Sequence, residues 1–283
     1  VILPHGGNLF QEKVPAAVEV INGFGKSVGL MQVEELGQIE SPVLLTNTFG
    51  VGTCANALIR RAIAENPDIG RKTSTFNPVV CECNDGHLSD IQALAVTEDD
   101  AMAALQNACD MTVVQGSVGA GTGMRCFGYK GGIGTASRRI TLDGKSYHLG
   151  ILVNSNFGSA DNLILPRGWA LKSDHKSQPE PDKGSIIIVM ATDAPLDYRQ
   201  LKRVARRCGA GLARLGSHWG HGSGDIVVAF STALKISHSS KNHIMLASMI
   251  HEGKIDQFFE AAADATAEAV FNSMLFSTAV KGR

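Results

Sequence analysis

Residues 173–196 read SDHKSQPEPDKGSIIIVMATDAPL, with a seam between Gly184 and Ser185. The stretch before the seam is polar, charged and proline-containing, the composition of a linker. The stretch after it, SIIIVMAT, is a short apolar run rich in β-branched residues and reads as a buried strand. A cut at this seam makes Ser185 a new N-terminus, with a hydroxyl and a free α-amine on one residue. An N-terminal amine titrates near ~8, so it can act as a general base at neutral pH. That is the logic of an N-terminal nucleophile hydrolase. The same pattern also fits an ordinary loop ending in Gly-Ser before a strand, and the seam alone does not separate the two.

Composition narrows the field. The chain has 283 residues, 44% hydrophobic and 19% charged, enough for one large domain or two small ones. With 26 basic and 27 acidic residues it has no basic stripe for nucleic acid and no basic amphipathic stretch for a membrane surface. The longest apolar run, residues 186–191, is far too short to span a bilayer. The expected compartment is the cytoplasm. The chain begins at Val1 without Met, in the strand-like VILP, so residues are expected upstream and a removed periplasmic signal stays open.

Six cysteines, at 54, 81, 83, 109, 126 and 208, are too sparse for a disulfide framework. Cys81 and Cys83 fall on one face of a strand and read as buried free thiols, with a metal pair as the alternative. His218 and His221 have metal-ligand spacing, but the glycine-rich flanks LGSHWGHGSGD argue against a helix that holds both on one face.

Outward from the seam, strands and helices interleave in both halves, without an internal repeat. VPAAVEVI (14–21) reads as a strand ending in a turn at Asn22-Gly23. SVGLMQVEEL (27–36) and SPVLLTNT (41–48) read as further strand-like pieces, and PVVCECNDG (78–86) as a strand. Helical spacing of Ala55, Leu58, Ile59 and Ile63 predicts a helix within 50–67, stopped by Pro67. A second helix is signalled at 97–109, capped by Thr97. ITLDGKSYHLGILVNSNFG (140–158) reads as a hairpin turning at Asp143-Gly144, followed by a processing-type linker at 159–184. A helix is expected at 197–215 with apolar positions 201, 204, 208 and 212, then a strand at 225–232. Two helical stretches close the chain, NHIMLASMIHE and KIDQFFEAAADATAEAVFNSMLF.

The middle is glycine-rich, with eight glycines between 116 and 134. It lacks the Gly-Lys-Ser/Thr triplet of a P-loop. The triplets at 25–27 and 144–146 lack the earlier glycine, with Val20 and Arg139 in its place. Gly119-x-Gly121 is followed by Met124 where a dinucleotide fingerprint needs a third glycine. Tight turns and bulges, or backbone drawn closely around a site, both fit this stretch.

A nucleophilic Ser185 needs activation, oxyanion donors and a positioned substrate. Gly222-Ser223-Gly224-Asp225 stands just ahead of a strand, and a hydroxyl and a carboxylate two residues apart project to one side of extended backbone. Asp225 is expected to hold Ser223, and Ser223 to bond the Ser185 amine or hydroxyl. A turn that caps the strand is the plainer alternative.

GSIIIVMATDAPL, GSGDIVVAFSTA, GSVGAGTGMRCFGYKGGIGTASR, SPVLLTNTFGVGT and the turn Asn22-Gly23-Phe24-Gly25 together resemble the self-processing serine aminopeptidases of peptidase family S58. This family includes the D-aminopeptidase DmpA and the β-aminopeptidases. The resemblance runs from Val1 to Arg283 and implies that the family's N-terminal stretch and short C-terminal end are missing here.

The resemblance implies an α+β fold, a four-layer αββα sandwich like that of N-terminal nucleophile hydrolases and shared with ornithine acetyltransferases. It implies cleavage at Gly184–Ser185 into an α part (1–184) and a β part (185–283), which together form one domain. Ser185 falls at the family's nucleophile, and Ser223 and Asp225 at its serine–acid pair, where β-aminopeptidases often carry Glu. Glu82 falls at the acid that binds the substrate ammonium, and Asn156 at the asparagine of the oxyanion hole. Asn84 stands where DmpA has a tyrosine that helps the oxyanion, so pocket shape and substrate preference are expected to differ. The implied activity is release of N-terminal L-, D-Ala or β-amino acid residues from small peptides, amides and esters, without a cofactor or metal. The implied assembly is a homo-oligomer of αβ units, a tetramer. An acyltransferase of the ornithine acetyltransferase type is the nearest rival, although that type uses threonine. An uncleaved, non-catalytic homologue is the other.

Overall fold

In the computed structural model, which describes residues 1–169, 184–240 and 242–282, the apolar run after Gly184 becomes an inner strand of a seven-stranded sheet. The elements, in chain order, begin with β1 (Glu12–Gly23), α1 (Leu30–Leu36), β2 (Gln38–Ile39), β3 (Val43–Asn47), α2 (Val51–Glu65), β4 (Val79–Cys83) and α3 (Glu98–Gln106). Then come β5 (Arg125–Cys126), β6 (Tyr129–Lys130), β7 (Gly132–Leu142) and β8 (Lys145–Asn156). After the linker follow β9 (Ser185–Thr192), α4 (Tyr198–Arg214), β10 (Gly224–Ser231), β11 (Ile236–Ser237) and α5 (Asp256–Leu275).

The large sheet has the order β11-β1-β10-β9-β8-β7, with β2 attached to β1. β9 and β10 run parallel, and β1–β10, β8–β9 and β7–β8 are antiparallel. A parallel pair needs a crossover, and α4 supplies it. β3 and β4 form a separate parallel pair.

Strand alternation divides the core into layers. From β9, Ile186, Ile188 and Met190 pack with Leu201, Val204, Cys208 and Leu212 of α4 and with Phe258, Ala262, Ala265 and Ala269 of α5. Ile187 and Val189 face the other way and pack with Val43, Val79, Cys81 and Cys83 of the small sheet. On the far side of that sheet, Leu44 and Val80 pack against Cys54 and Leu58 of α2 and Leu105 of α3. The order α4/α5, large sheet, small sheet, α2/α3 is an αββα sandwich. β9 is buried on both faces, which explains why it reads as an unbroken apolar run rather than an alternating one.

Local signals account for most boundaries. Thr97 and Asp100 form a capping box at the start of α3, as Asp197 and Gln200 do for α4. Asp143 and Gly144 both adopt positive φ (49° and 78°), the requirement of a tight hairpin between β7 and β8. In the glycine-rich stretch, Gly134 packs β7 directly on α5: a Cβ there would lie 1.9 Å from the Ala269 carbonyl oxygen.

Three expectations are corrected. Asn22-Gly23 is not a turn: β1 continues through it, because Asn22 and Gly23 pair with Asp225 and Gly224 of β10. Residues 27–36 are not a strand. They contain α1, bracketed by Gly29 and Gly37 in left-handed conformations, with Val33 alone buried. NHIMLASMIHE is not helical among its described residues. A helix this short needs an apolar face to bury, yet Ile244 and Leu246 stand in solvent. The backbone of Ile250 is instead tied to Pro195 and to the Gln200 side chain. In the linker, Ala160–Asn162 is a short 3-10 turn, and residues 170–183 lie outside the described residues.

Candidate active site

Four strand ends meet in one row. Gly23 pairs with Gly224, Gly224 with Ser185, and Ser185 with Asn156. The end of β4 lies over this row, tied to the large sheet by the Cys83 thiol, which donates to the Asn154 carbonyl at 3.3 Å. Glu82 and Asn84 flank Cys83. The site residues singled out from the sequence thus come from four separate chain segments, the ends of β4 and β8 and the starts of β9 and β10, to one end of the sandwich.

Ser185 is buried, as the first residue of β9. By alternation with Ile187 and Val189 its side chain lies on the face toward β4. The preceding residue is held tightly. The Gly184 carbonyl oxygen accepts from the Gly224 N–H at 3.2 Å. A Cβ on Gly184 would lie 2.4 Å from both the Asn156 carbonyl oxygen and the Phe157 Cα, so only glycine fits.

Ser223 and Asp225 are both buried, and the Ser223 hydroxyl donates to Asp225 Oδ1 at 2.8 Å. Asp225 alternates in step with Val227 and Ala229, which face α4 and α5. The pair therefore lies across the sheet from the Ser185 side chain and alongside the 184–185 backbone. The loop that carries Ser223 is latched by Asn22, whose side-chain amide donates to the Gly220 carbonyl at 3.1 Å and also to the Ser223 carbonyl. The extended pairing of β1 gives Asn22 this reach, which a reading of Asn22-Gly23 as a turn hides.

Glu82 is buried on the face of β4 that looks toward α2. Its Oε1 accepts from the Lys26 N–H at 2.8 Å and its Oε2 from the Thr48 hydroxyl. Asn156 bridges two segments: its amide nitrogen donates to the Asn84 carbonyl at 2.8 Å, and its Oδ1 accepts from the Arg125 N–H at 2.8 Å. The Asn84 side chain is exposed and closes its own turn, accepting from the Gly86 N–H at 2.9 Å. Burial pushes the Cys81 thiol up to about 12 and the Cys83 thiol well above its ordinary range, so both are neutral. His218 lies in irregular chain and His221 in the turn that follows, where His221 packs against Phe24 with ring centroids 5.8 Å apart. No helix among the described residues is long and apolar enough to cross a membrane.

Sequence signals for the supporting groups are weak. The Lys26 and Gly224 contributions are backbone N–H groups, which any residue carries, and the segments SPVLLTNTFGVGT and PVVCECNDG do not by themselves say that Thr48 meets Glu82 or that Cys83 meets Asn154.

Comparisons with known proteins place this geometry in a family. The family model for peptidase family S58 matches residues 1–283. A β-peptidyl aminopeptidase BapA from Sphingosinicella microcystinivorans is 38% identical over 297 residues, covering 99% of this chain and 74% of that protein. Among solved structures, the PH0078 protein from Pyrococcus horikoshii OT3 is 45% identical with a TM-score of 0.93, covering 99% of this chain and 78% of that one. The L-aminopeptidase D-Ala-esterase/amidase from Ochrobactrum anthropi, described as a variant of the Ntn hydrolase fold, is 38% identical with a TM-score of 0.85. It covers 94% of this chain and 74% of its own. With the αββα layers and the row of strand ends built around Ser185, these matches identify the chain as a member of peptidase family S58, an aminopeptidase of the serine N-terminal-nucleophile type.

Proposed function

We propose that the chain cleaves itself between Gly184 and Ser185 and then works as an aminopeptidase with Ser185 as its N-terminal nucleophile. The observation that carries this reading is the Gly224 N–H on the Gly184 carbonyl oxygen, at 3.2 Å. A donor on the carbonyl under attack stabilises the negative charge that develops there. Ser185 Oγ attacks that carbonyl carbon, the C–N bond breaks, and the Ser185 amine leaves with the hydroxyl proton. Water hydrolyses the resulting ester, leaving an α part (1–184) with a Gly184 carboxylate and a β part (185–283) with a free amine. The two parts stay together as one domain, since β9 and β10 from one pair with β8 and β1 from the other.

The freed amine is the general base of the mature enzyme. It takes the Ser185 hydroxyl proton directly or through a water, while Asp225 holds Ser223 in place on the amine side. The position of the Ser223–Asp225 pair beside the 184–185 backbone supports a role toward the amine. Oγ forms an ester with the first carbonyl of the substrate, the leaving amine takes up the proton, and water releases the acyl group. Asn156 is the side-chain oxyanion donor: one amide hydrogen is committed to Asn84, and the second is left for the substrate. Glu82 anchors the free amine of the substrate, which confines cleavage to the terminal residue. Asn84 shapes the pocket mouth.

The substrates are small peptides, amides and esters with a free terminal amine, of L-, D-Ala or β-amino acid type. The names of the relatives, a β-peptidyl aminopeptidase and an L-aminopeptidase D-Ala-esterase/amidase, support that class. The exposed apolar residues Ile244, Met245 and Leu246 support assembly of the αβ units into a homo-oligomer. The deciding experiment is a denaturing gel of the purified protein beside Ser185→Ala. Two fragments from the first and one intact band from the second are expected. An intact wild-type chain sinks the reading.

A further inference from the structure

The carboxylate of Glu82 is held from outside its own strand. Its Oε2 accepts from the Thr48 hydroxyl, and Thr48 opens a short 3-10 turn, Thr48–Gly50, at the end of β3. Asn47, the last residue of β3 and the register partner of Cys83, caps that turn: its Oδ1 accepts from the Gly50 N–H at 2.8 Å. Capping uses only the oxygen of the amide. The nitrogen reaches across to the loop after β4, where it donates to Asp85 Oδ2 at 3.2 Å. Asp85 is buried and tied down on both sides. Its backbone carbonyl accepts from the Leu88 and Ser89 N–H groups at 3.0 and 2.9 Å, and the carbonyl of the preceding Asn84 accepts from the Asn156 amide. Gly123 of the glycine-rich stretch lies directly against it: a Cβ there would come within 2.6 Å of both the Asp85 Cβ and the Ser89 Oγ. Asp85 Oδ1 has no hydrogen-bond partner, so among the described residues only the Asn47 amide donates to this buried carboxyl.

Resting on the reading of Glu82 as the anchor of the substrate ammonium, we propose that Asn47 is its positioning residue, with Asp85 as the fixed point against which Asn47 works. The Asn47 amide spans the ends of β3 and β4, with its oxygen on the turn that carries Thr48 and its nitrogen on the loop after Glu82. It thereby fixes where the Thr48 hydroxyl stands, and that hydroxyl fixes Oε2 of Glu82. Amide chemistry suits this task. Serine or aspartate would cap the turn equally well, but only an amide pairs that acceptor with a donor on a second atom. A carboxylate already held in its binding rotamer loses no further freedom when the substrate amine arrives, and this favours affinity. Asn47 and Asp85 act through Glu82, so their effect falls on substrate binding rather than on bond making.

The test compares Asn47→Asp, Asp85→Asn and the double variant Asn47→Asp/Asp85→Asn, beside Glu82→Gln. KM and kcat are read on an amino-acid amide, and self-cleavage on denaturing gels. Asn47→Asp keeps the cap on Gly50 and removes the donor to Asp85. Loss of that one hydrogen bond to a buried group is expected to raise KM roughly 10-fold. In the same variant kcat should stay within about 2-fold, with both fragments formed. Asp85→Asn still offers Asn47 an acceptor and should resemble the wild type. The double variant reverses the bond, because the amide now at position 85 donates to the carboxyl now at position 47. Its KM should return to within about 3-fold of the wild type, a recovery that simple loss of packing would not give. If Asn47→Asp does not fold, Asn47→Ser caps the turn without reaching Asp85 and is expected to show the same rise in KM. An unchanged KM in the Asn47 variant, or a double variant no better than Asn47→Asp, would overturn the proposal. An unchanged KM in Glu82→Gln would instead sink the ammonium reading and the proposal with it. A raised KM in Glu82→Gln beside an unchanged one in Asn47→Asp strikes the proposal alone, so the two failures are distinguishable.

Discussion

The Gly224 N–H donates to the Gly184 carbonyl oxygen at 3.2 Å, joining the first residue of β10 to the residue before β9 across a parallel pair. The bond belongs to the sheet ladder and is also the contact that polarises the carbonyl next to Ser185. A feature of ordinary secondary structure thus lies where acyl chemistry needs a donor.

Gly184 itself is the first residue to test. A Cβ there would meet the Asn156 carbonyl and the Phe157 backbone at 2.4 Å, and backbone cannot step aside cheaply. Gly184→Ala should displace the scissile carbonyl from the Gly224 N–H and slow self-cleavage by roughly 100-fold, the scale of losing one oxyanion donor. A time course of the two fragments on a gel checks this. Cleavage at the wild-type rate would show that the close approach is not needed.

If Glu82 holds the substrate ammonium as proposed, its loss should affect substrate recognition and not self-cleavage, because the internal 184–185 bond presents no free α-amine. In Glu82→Gln the amide oxygen still accepts from the Lys26 N–H, and the Thr48 hydroxyl rotates to accept from the new amide, so the local fold should survive. Loss of a charged hydrogen bond should raise KM for amino-acid amides roughly 10- to 100-fold, with fragments still formed. An unchanged KM would remove Glu82 from the ammonium site.

Asn156 ties Asn84 to Arg125 through both ends of its amide. Asn156→Ala should therefore lower stability as well as kcat, by about 1–3 kcal/mol. Thermal unfolding of the Ser185→Ala background, where processing does not interfere, measures the stability part. A kcat loss with no fall in Tm would mean that the bridge contributes nothing to the fold.

The buried thiol of Cys208, between α4 and α5, sets an alkaline limit. Burial raises it to about 12, and Thr266 offsets this only in part. The folded value lies above the unfolded one near 9, so this contribution is complete below pH 9. It is lost as pH rises toward 12, because the unfolded thiol ionises first. Unfolding free energies from urea titrations at pH 8 and 10.5 should fall with pH, by roughly 1 kcal/mol per pH unit above about 9 for such a thiol, and the fall should be smaller in Cys208→Ala. An identical pH slope in that variant would contradict the assignment.

Much was legible in the sequence, and the reasons are local. Short apolar runs marked β4, β9 and β10, helical spacing marked α2 and α4, and Thr97 and Asp143-Gly144 marked a cap and a turn through their own backbone chemistry. The seam at Gly184–Ser185 and the spacing of Ser223 and Asp225 were also written there. What tertiary structure decided was partnership. Asn22-Gly23 has strong turn chemistry, yet pairing with Asp225 and Gly224 keeps it extended and turns Asn22 into a latch. Residues 242–252 have helical spacing but no surface on which to bury it. The bond from Gly224 to Gly184, the bridge of Asn156 and the tether of Cys83 to Asn154 arise where distant strands end in register. Propensity acts within a few residues, whereas the meeting of strand ends is fixed by non-local hydrogen bonds and by the packing of one sheet on another.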